Sequence, residues 1–446
     1  MKRVVLTICA AWLATVPMGC GPGSPGESAK PNPEPGGSAS QARTYQPIEP
    51  NAVVLWDRQT TETADLLREL VTEFNTGRPG LQVTAQYSGG YTEIFQKVRA
   101  SIQAGKLPAM AVAYQSMTSE YIEAGAVVPL DDFVSHPEFG LTAEDRDDFF
   151  PSVLETNRFA EYGGKLYSFP FCKSVLMMYF NKRVLAEAGI EEPPATWDAF
   201  LEQCRQIKAK TGNHAVAFNV DASTVDGFIF SMGGDVAAGR ESLFASPEAI
   251  RVFELIETLA KEKLAYQITP NSYDDKVAFA ENKVAFFFRS SSHRTSTTEV
   301  MQGNLDDWGM AMIPQVDPAN PRTVLYGPNI SVFETTPEQE RAAWEFVKFF
   351  TSRESTVRWA LASGYVPTRK SAAGDPRMQA FWAEWEYNRA AFDCLDHARS
   401  EPMIAGWQRV RKLIEDAETA VLTGLKTGPQ AARDLKRDAD AQLRRR

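Results

Sequence analysis

Residues 52–114 alternate between two periodicities, and this alternation restricts the fold more than any other feature of the chain. Residues 52–56 form a short apolar run of strand character. Leu66, Leu67, Leu70, Val71 and Phe74 then recur at helical spacing, over about 62–75, before Gly77 and Pro79 end the segment. Residues 81–87 alternate as a strand, and Ser88-Gly89-Gly90 turns the chain. Tyr91, Ile94, Phe95, Val98 and Ile102 mark a second helix, stopped by Gly105 and Pro108, and residues 109–114 are a third apolar strand. A βαβαβ order requires a parallel sheet with right-handed crossovers. Ligands of such sheets sit outside the carboxyl ends of the strands. Trp56-Asp57, the turn from Ser88 to Tyr91, and Gln115-Ser116 stand there.

A second informative stretch runs from 163 to 181. It opens on Gly163-Gly164, and Pro170 interrupts the extended segment that follows. The unbroken apolar run 175–180 suits a strand buried on both faces. Asn181 is placed to cap a helix that Gly189 ends. A Pro-broken segment between two structured halves suits a crossing between lobes, with Cys172, Lys173 and Ser174 at the break. Strand and helix signals then repeat. Thr196 caps an amphipathic helix, 215–220 is a strand, Pro247 opens a long helix, and the strand 283–288 runs into Arg289-Ser290-Ser291-Ser292. Helices dominate after Glu338. With 446 residues the chain exceeds a single core and calls for two lobes.

The formal charge of −10 argues against nucleic acid as a partner. Lys2 and Arg3, the apolar run 4–16, and Gly19 before Cys20 read as a secretory signal of bacterial lipoprotein type, with Cys20 acylated. Pro17 stands where such signals usually carry Leu; the competing reading is an ordinary signal peptide cut nearby. The Gly-, Pro- and Ser-rich residues 21–50 behave as a tether. Cys172, Cys204 and Cys394 remain in the mature chain, which is no disulfide framework and no zinc site. No phosphate-binding loop, nucleophile elbow or metal-ligand His pair occurs, so no cofactor and no metal are expected. The acidic pairs at 131–132, 147–148 and 274–275 flank helix starts, where carboxylates favour the dipole.

Four passages, 104–114, 170–181, 364–370 and the tail from Thr423, carry a resemblance to extracellular solute-binding proteins of ABC importers, in the branch with the maltose- and glycerol-3-phosphate-binding proteins. The resemblance spans about 53–445. It implies an α/β fold of two lobes joined by hinge strands, a ligand in the cleft, a membrane permease as partner, and a monomer anchored outside the cytoplasm. It divides the chain into a signal (1–19), an acylated tether (20–50), lobe one (51–167 plus 312–355) and lobe two (168–311 plus 356–446). The implied cleft residues are Tyr91, Gln115, Ser174, one of Ser290 or Ser291, Gly327 and Tyr365. Two departures bear on the ligand. Gln115 replaces a glutamate, and the phosphate-gripping arginine of the glycerol-3-phosphate branch falls near Met403, with Arg399 close by as a substitute. A sugar or related polyol is therefore the preferred ligand over glycerol phosphate or a phosphodiester. A lipid-anchored glycan hydrolase is the alternative of a different class.

Overall fold

The computed structural model describes residues 45–269 and 272–444. The signal, Cys20 and the tether as far as 44 lie outside the described residues. The described residues belong to one compact unit, and their strands form two principal sheets. In chain order these strands are β1 (Ala52–Asp57), β2 (Gln82–Tyr87), β3 (Met110–Ala113), β4 (Phe169–Pro170), β5 (Ser174–Asn181) and β6 (Val216–Phe218). They continue as β7 (Ala265–Gln267), β8 (Phe286–Ser290), β9 (Trp308–Met312), β10 (Thr323–Tyr326), β11 (Asn329–Val332) and β12 (Ala398–Arg399).

The first sheet has the order β2-β1-β3-β11-β4. Its β1, β2 and β3 are parallel, as the βαβαβ pattern requires, and β11 and β4 add antiparallel at one side. The helices between them are α1 (Thr61–Thr76) and α2 (Tyr91–Ala104), followed after β3 by α3 (Gln115–Glu123). Leu66, Leu67, Leu70, Val71 and Phe74 of α1 and Ile94, Phe95, Val98 and Ile102 of α2 are all buried in one core with β1 and β3. Gly105 ends α2 at φ 69°, a left-handed conformation that glycine adopts without a Cβ penalty.

The second sheet has the order β7-β6-β8-β5-β10-β12, with β9 also pairing β5. All eight residues of β5 are buried. Leu176, Met178 and Phe180 enter one core, while Val175, Met177 and Tyr179 enter another on the opposite face. This is the period-two split expected of a strand covered on both sides. One cover includes α4 (Ala222–Ser231), α5 (Pro247–Lys261), α6 (Trp407–Leu422) and α7 (Gly428–Leu443).

The chain crosses between the sheets three times, after Pro170, at Gly327-Pro328, and between β11 and β12, and the pairings place the first two beyond the boundaries expected from sequence. Phe169-Pro170 pairs with Asn329-Ile330 in the first sheet, so lobe two begins after 170 and not at 168. Thr323–Tyr326 pairs with β5 and β12 in the second sheet. The return crossing is therefore at Gly327-Pro328, some fifteen residues beyond the expected 312. The short β10 follows a Pro-rich loop and gives no period of its own, which is why sequence reading passed over it. The first two crossings touch. Phe171 N–H donates to Pro328 O at 3.3 Å, and Lys173 Nζ donates to Asn329 Oδ1 at 2.7 Å and to Gly327 O at 3.2 Å.

Candidate functional site: the interlobe cavity

A cavity of about 300 Å³ opens where the strand ends of the two sheets face each other. Lobe one supplies Arg58 just after β1, Tyr91 at the first turn of α2, and Tyr114 after β3. Lobe two supplies Ser174 at the start of β5, Asn219 to Asp221 after β6, and Thr224 in α4. Arg289 and Ser290 end β8, Ser292 and His293 sit in the turn beyond it, and Glu415 reaches in from α6. Tyr326 and Gly327 at the return crossing, and Tyr365, complete the lining. The carboxyl ends of parallel strands thus place ligand-facing side chains as in other open α/β sheets.

Four of these residues are tyrosines. Tyr91 and Tyr114 stand 4.3 Å apart between ring centroids, and the Arg58 guanidinium lies 4.7 Å over the Tyr91 ring, within cation–π range. Burial pushes the phenols of Tyr91, Tyr326 and Tyr365 upward and that of Tyr114 to about 12. All four keep their protons at neutral pH and can donate hydrogen bonds. The hydroxyls form a ladder: Ser290 Oγ donates to Ser174 Oγ at 2.7 Å and lies 2.8 Å from Ser292 Oγ.

The charged groups sit at opposite ends. At one end Asp221 accepts from Tyr326 Oη at 2.9 Å and from Thr224 Oγ1 at 3.1 Å, and pairs with Arg411 Nη2 at 3.5 Å. Arg411 also pairs with Glu401 and donates to Ser223 Oγ. At the other end Arg289 is anchored by Asp275 at 2.7 Å. Burial lowers His293 well below its ordinary range, reinforced by Lys276, Arg289 and Arg58.

Tyr91, Ser174, Ser290, Gly327 and Tyr365, all singled out from the sequence, come together around this cavity. Gln115, Ser291 and Arg399 are placed elsewhere. Gln115 is buried in α3, where its Nε2 reaches across to Glu401 O at 3.3 Å and Ser400 Oγ at 3.4 Å of lobe two. It is part of a direct clasp between lobes. Ser119 Oγ donates to Met403 O at 2.9 Å and Gln408 Nε2 to Ser116 Oγ at 2.6 Å in the same contact. Ser291 turns its Oγ toward Gly364 O at 3.3 Å, inside the protein. Arg399 is exposed on the edge strand β12. Cys172 and Lys173, expected beside Ser174 at the break, are both buried and do not line the cavity. Trp56, Phe288 and Trp407 are buried in the cores. Cys172, Cys204 and Cys394 are free and buried.

Arg58, Tyr114, Asp221, His293 and Tyr326 escaped the sequence reading. Arg58 and Tyr114 immediately follow strands whose ends had been singled out, so the strand-end rule could have found them.

Two sheets joined by three crossings, with a polar, tyrosine-lined cavity between them, define a two-lobed solute receptor. Residues 69–387 match the model of the bacterial extracellular solute-binding protein family, and the chain belongs to that family. Among curated relatives, the sn-glycerol-3-phosphate-binding periplasmic protein UgpB of Escherichia coli (strain K12) is 23% identical over 417 residues, covering 88% of this chain and 92% of the relative. Among solved structures, UgpB of Mycobacterium tuberculosis in complex with glycerophosphocholine superimposes with a TM-score of 0.75 at 21% identity, covering 88% of this chain and 98% of that one. The GacH receptor of Streptomyces glaucescens, solved unliganded and with acarbose, gives a TM-score of 0.75 at 20% identity over 88% and 98% of the two chains. No helix among the described residues is long and apolar enough to cross a membrane.

Proposed function

We propose that this chain is the extracytoplasmic solute-binding component of an ABC importer, and that it captures a sugar or related polyol between its lobes for delivery to the transmembrane subunits of a permease. The cavity carries this reading: it combines four protonated tyrosines with the Ser174, Ser290 and Ser292 hydroxyls. Rings offer flat apolar faces and hydroxyls offer donors and acceptors, which is what a hydroxyl-rich solute needs. Gly327, at φ 104°, brings backbone to the cavity wall. Closure about the crossings would grip the solute and form the surface a permease reads. The protein acts as a binding protein without turnover, as a monomer held to the membrane by lipid on Cys20.

A glycerol phosphate or a glycerophosphodiester is the second reading. The guanidiniums of Arg58 and Arg289 in the cavity wall favour it, whereas Arg399 lies outside. A thermal-shift screen of the mature protein against mono- and oligosaccharides and glycerol phosphodiesters tests both readings, because a solute that binds only the native state raises the melting temperature. Multiple turnover of a glycan would overturn the binding reading in favour of a hydrolase.

A further inference from the structure

The two ends of the cavity differ in how their charges are balanced. At the Asp221 end, Arg411 is held by both Asp221 and Glu401. Burial favours the protonated forms of Asp226 and Glu418 behind them. The cation at that end is already matched, by two carboxylates. At the opposite end Arg289 has its carboxylate, Asp275, whereas Arg58 forms no ion pair among the described residues: the neighbouring Asp57 acts on it only through space, its carboxylate accepting from the Gln59 N–H. The Arg58 Nε–H is buried and without a protein acceptor, and its guanidinium rests on the Tyr91 ring facing the cavity. A buried donor left unpaired costs free energy that a ligand acceptor can recover. A planar guanidinium matches the two oxygens of a carboxylate or phosphate.

Arg58 comes from lobe one, and Arg289, Ser292 and His293 come from lobe two. Arg289 is matched by Asp275 and burial disfavours a charged His293, so Arg58 is the cation left without an ion-pair partner between the lobes. An anion held there would be attracted by Arg58 from one lobe and would accept from Arg289 and Ser292 of the other.

We propose that the Arg58 end of the cavity is an anion subsite, and that the solute is acidic: a sugar or polyol whose carboxylate or phosphate bridges Arg58 to Arg289 and Ser292. This rests on the solute-capture reading above and narrows its substrate class. The neutral Gln115 no longer weighs against an acidic solute, because its amide serves the clasp. The arginine lost near Met403 is replaced by one from the other lobe.

Calorimetry on the mature protein with D-glucuronate, sn-glycerol 3-phosphate and glycerophosphocholine, each beside neutral D-glucose and glycerol, tests the assignment. At least one acidic probe is expected to bind ten times more tightly than the neutral ones, less tightly as salt is added. Glucuronate against the two phosphates tells which oxyanion is preferred. Arg58→Gln is expected to weaken that probe at least tenfold, and Arg58→Lys to weaken it less, with the ligand-free melting temperature of each variant unchanged. Unchanged affinity in well-folded Arg58→Gln, or tight binding of neutral sugars alone, overturns the acidic assignment while leaving solute capture standing. Failure of every probe, acidic and neutral, overturns both.

Discussion

The interface between the lobes has two halves that obey opposite rules. In the cavity, polar groups converge on space. In the clasp and the crossings, polar groups converge on each other. Tyr91 and Gln115 show the contrast well, because both begin helices that follow parallel strands of the same sheet. Tyr91 lines the cavity, and Gln115 donates to lobe-two backbone. Position at a strand end brings a side chain to the cleft; what stands opposite decides whether it meets solute or protein.

Six substitutions probe that contrast, the largest effect first. Lys173 belongs to the self-satisfied half. Burial depresses its ammonium to about 7 from an ordinary 10.5. Between those values unfolding takes up a proton, so stability rises with pH by roughly 1.4 kcal/mol per unit, and the penalty of the buried lysine is complete below pH 7. Lys173→Met should remove that slope between pH 7 and 10 in denaturant melts; an unaltered slope would show that the lysine keeps its charge. Next come Tyr91→Ala and Tyr365→Ala. Each should weaken binding of the solute found by the thermal-shift screen more than tenfold, about 1.4 kcal/mol, with the fold retained, and calorimetry measures this directly.

Ser290→Ala should cost roughly 1 kcal/mol of binding, the worth of one hydrogen bond. Ser291→Ala should leave affinity within about twofold of wild type, since its hydroxyl faces Gly364. Equal losses at the two serines would erase the distinction drawn between cavity and interior. Gln115→Ala should have the smallest effect on affinity. It should appear instead as faster solute release in stopped-flow experiments, because the clasp holds the closed form. A loss as large as that of Tyr91→Ala would move Gln115 into the cavity group.

Much of this organisation is legible in the chain. The stripes of α1 and α2 and the split faces of β5 depend on local period, and period is written in sequence. Tyr91, Ser174 and Tyr365 were reachable through strand ends and resemblance. Other features depend on contacts across hundreds of residues. Gln115 meets Glu401, and Arg411 is neutralised by Asp221 and Glu401, pairings that no local pattern announces. The crossing at Gly327 carries no local period, because β10 is four residues long and follows a loop. Asp221 reads locally as the cap of α4, which it also is: its side chain accepts from Thr224 N–H.

Gly327 has one further consequence. A methyl group there would lie 2.1 Å from the Cys172 carbonyl oxygen, so the first two crossings run closer than any other residue allows. Strands laced this tightly, with Lys173 knotted to Gly327 and Asn329, share their torsion. A twist in one has to be matched by the other, and the lobes should swing about one axis, like a door on a single pin, with no freedom to slide. Widening the gap at that point would loosen the pin first, and the cavity would lose its alignment before either lobe lost its core.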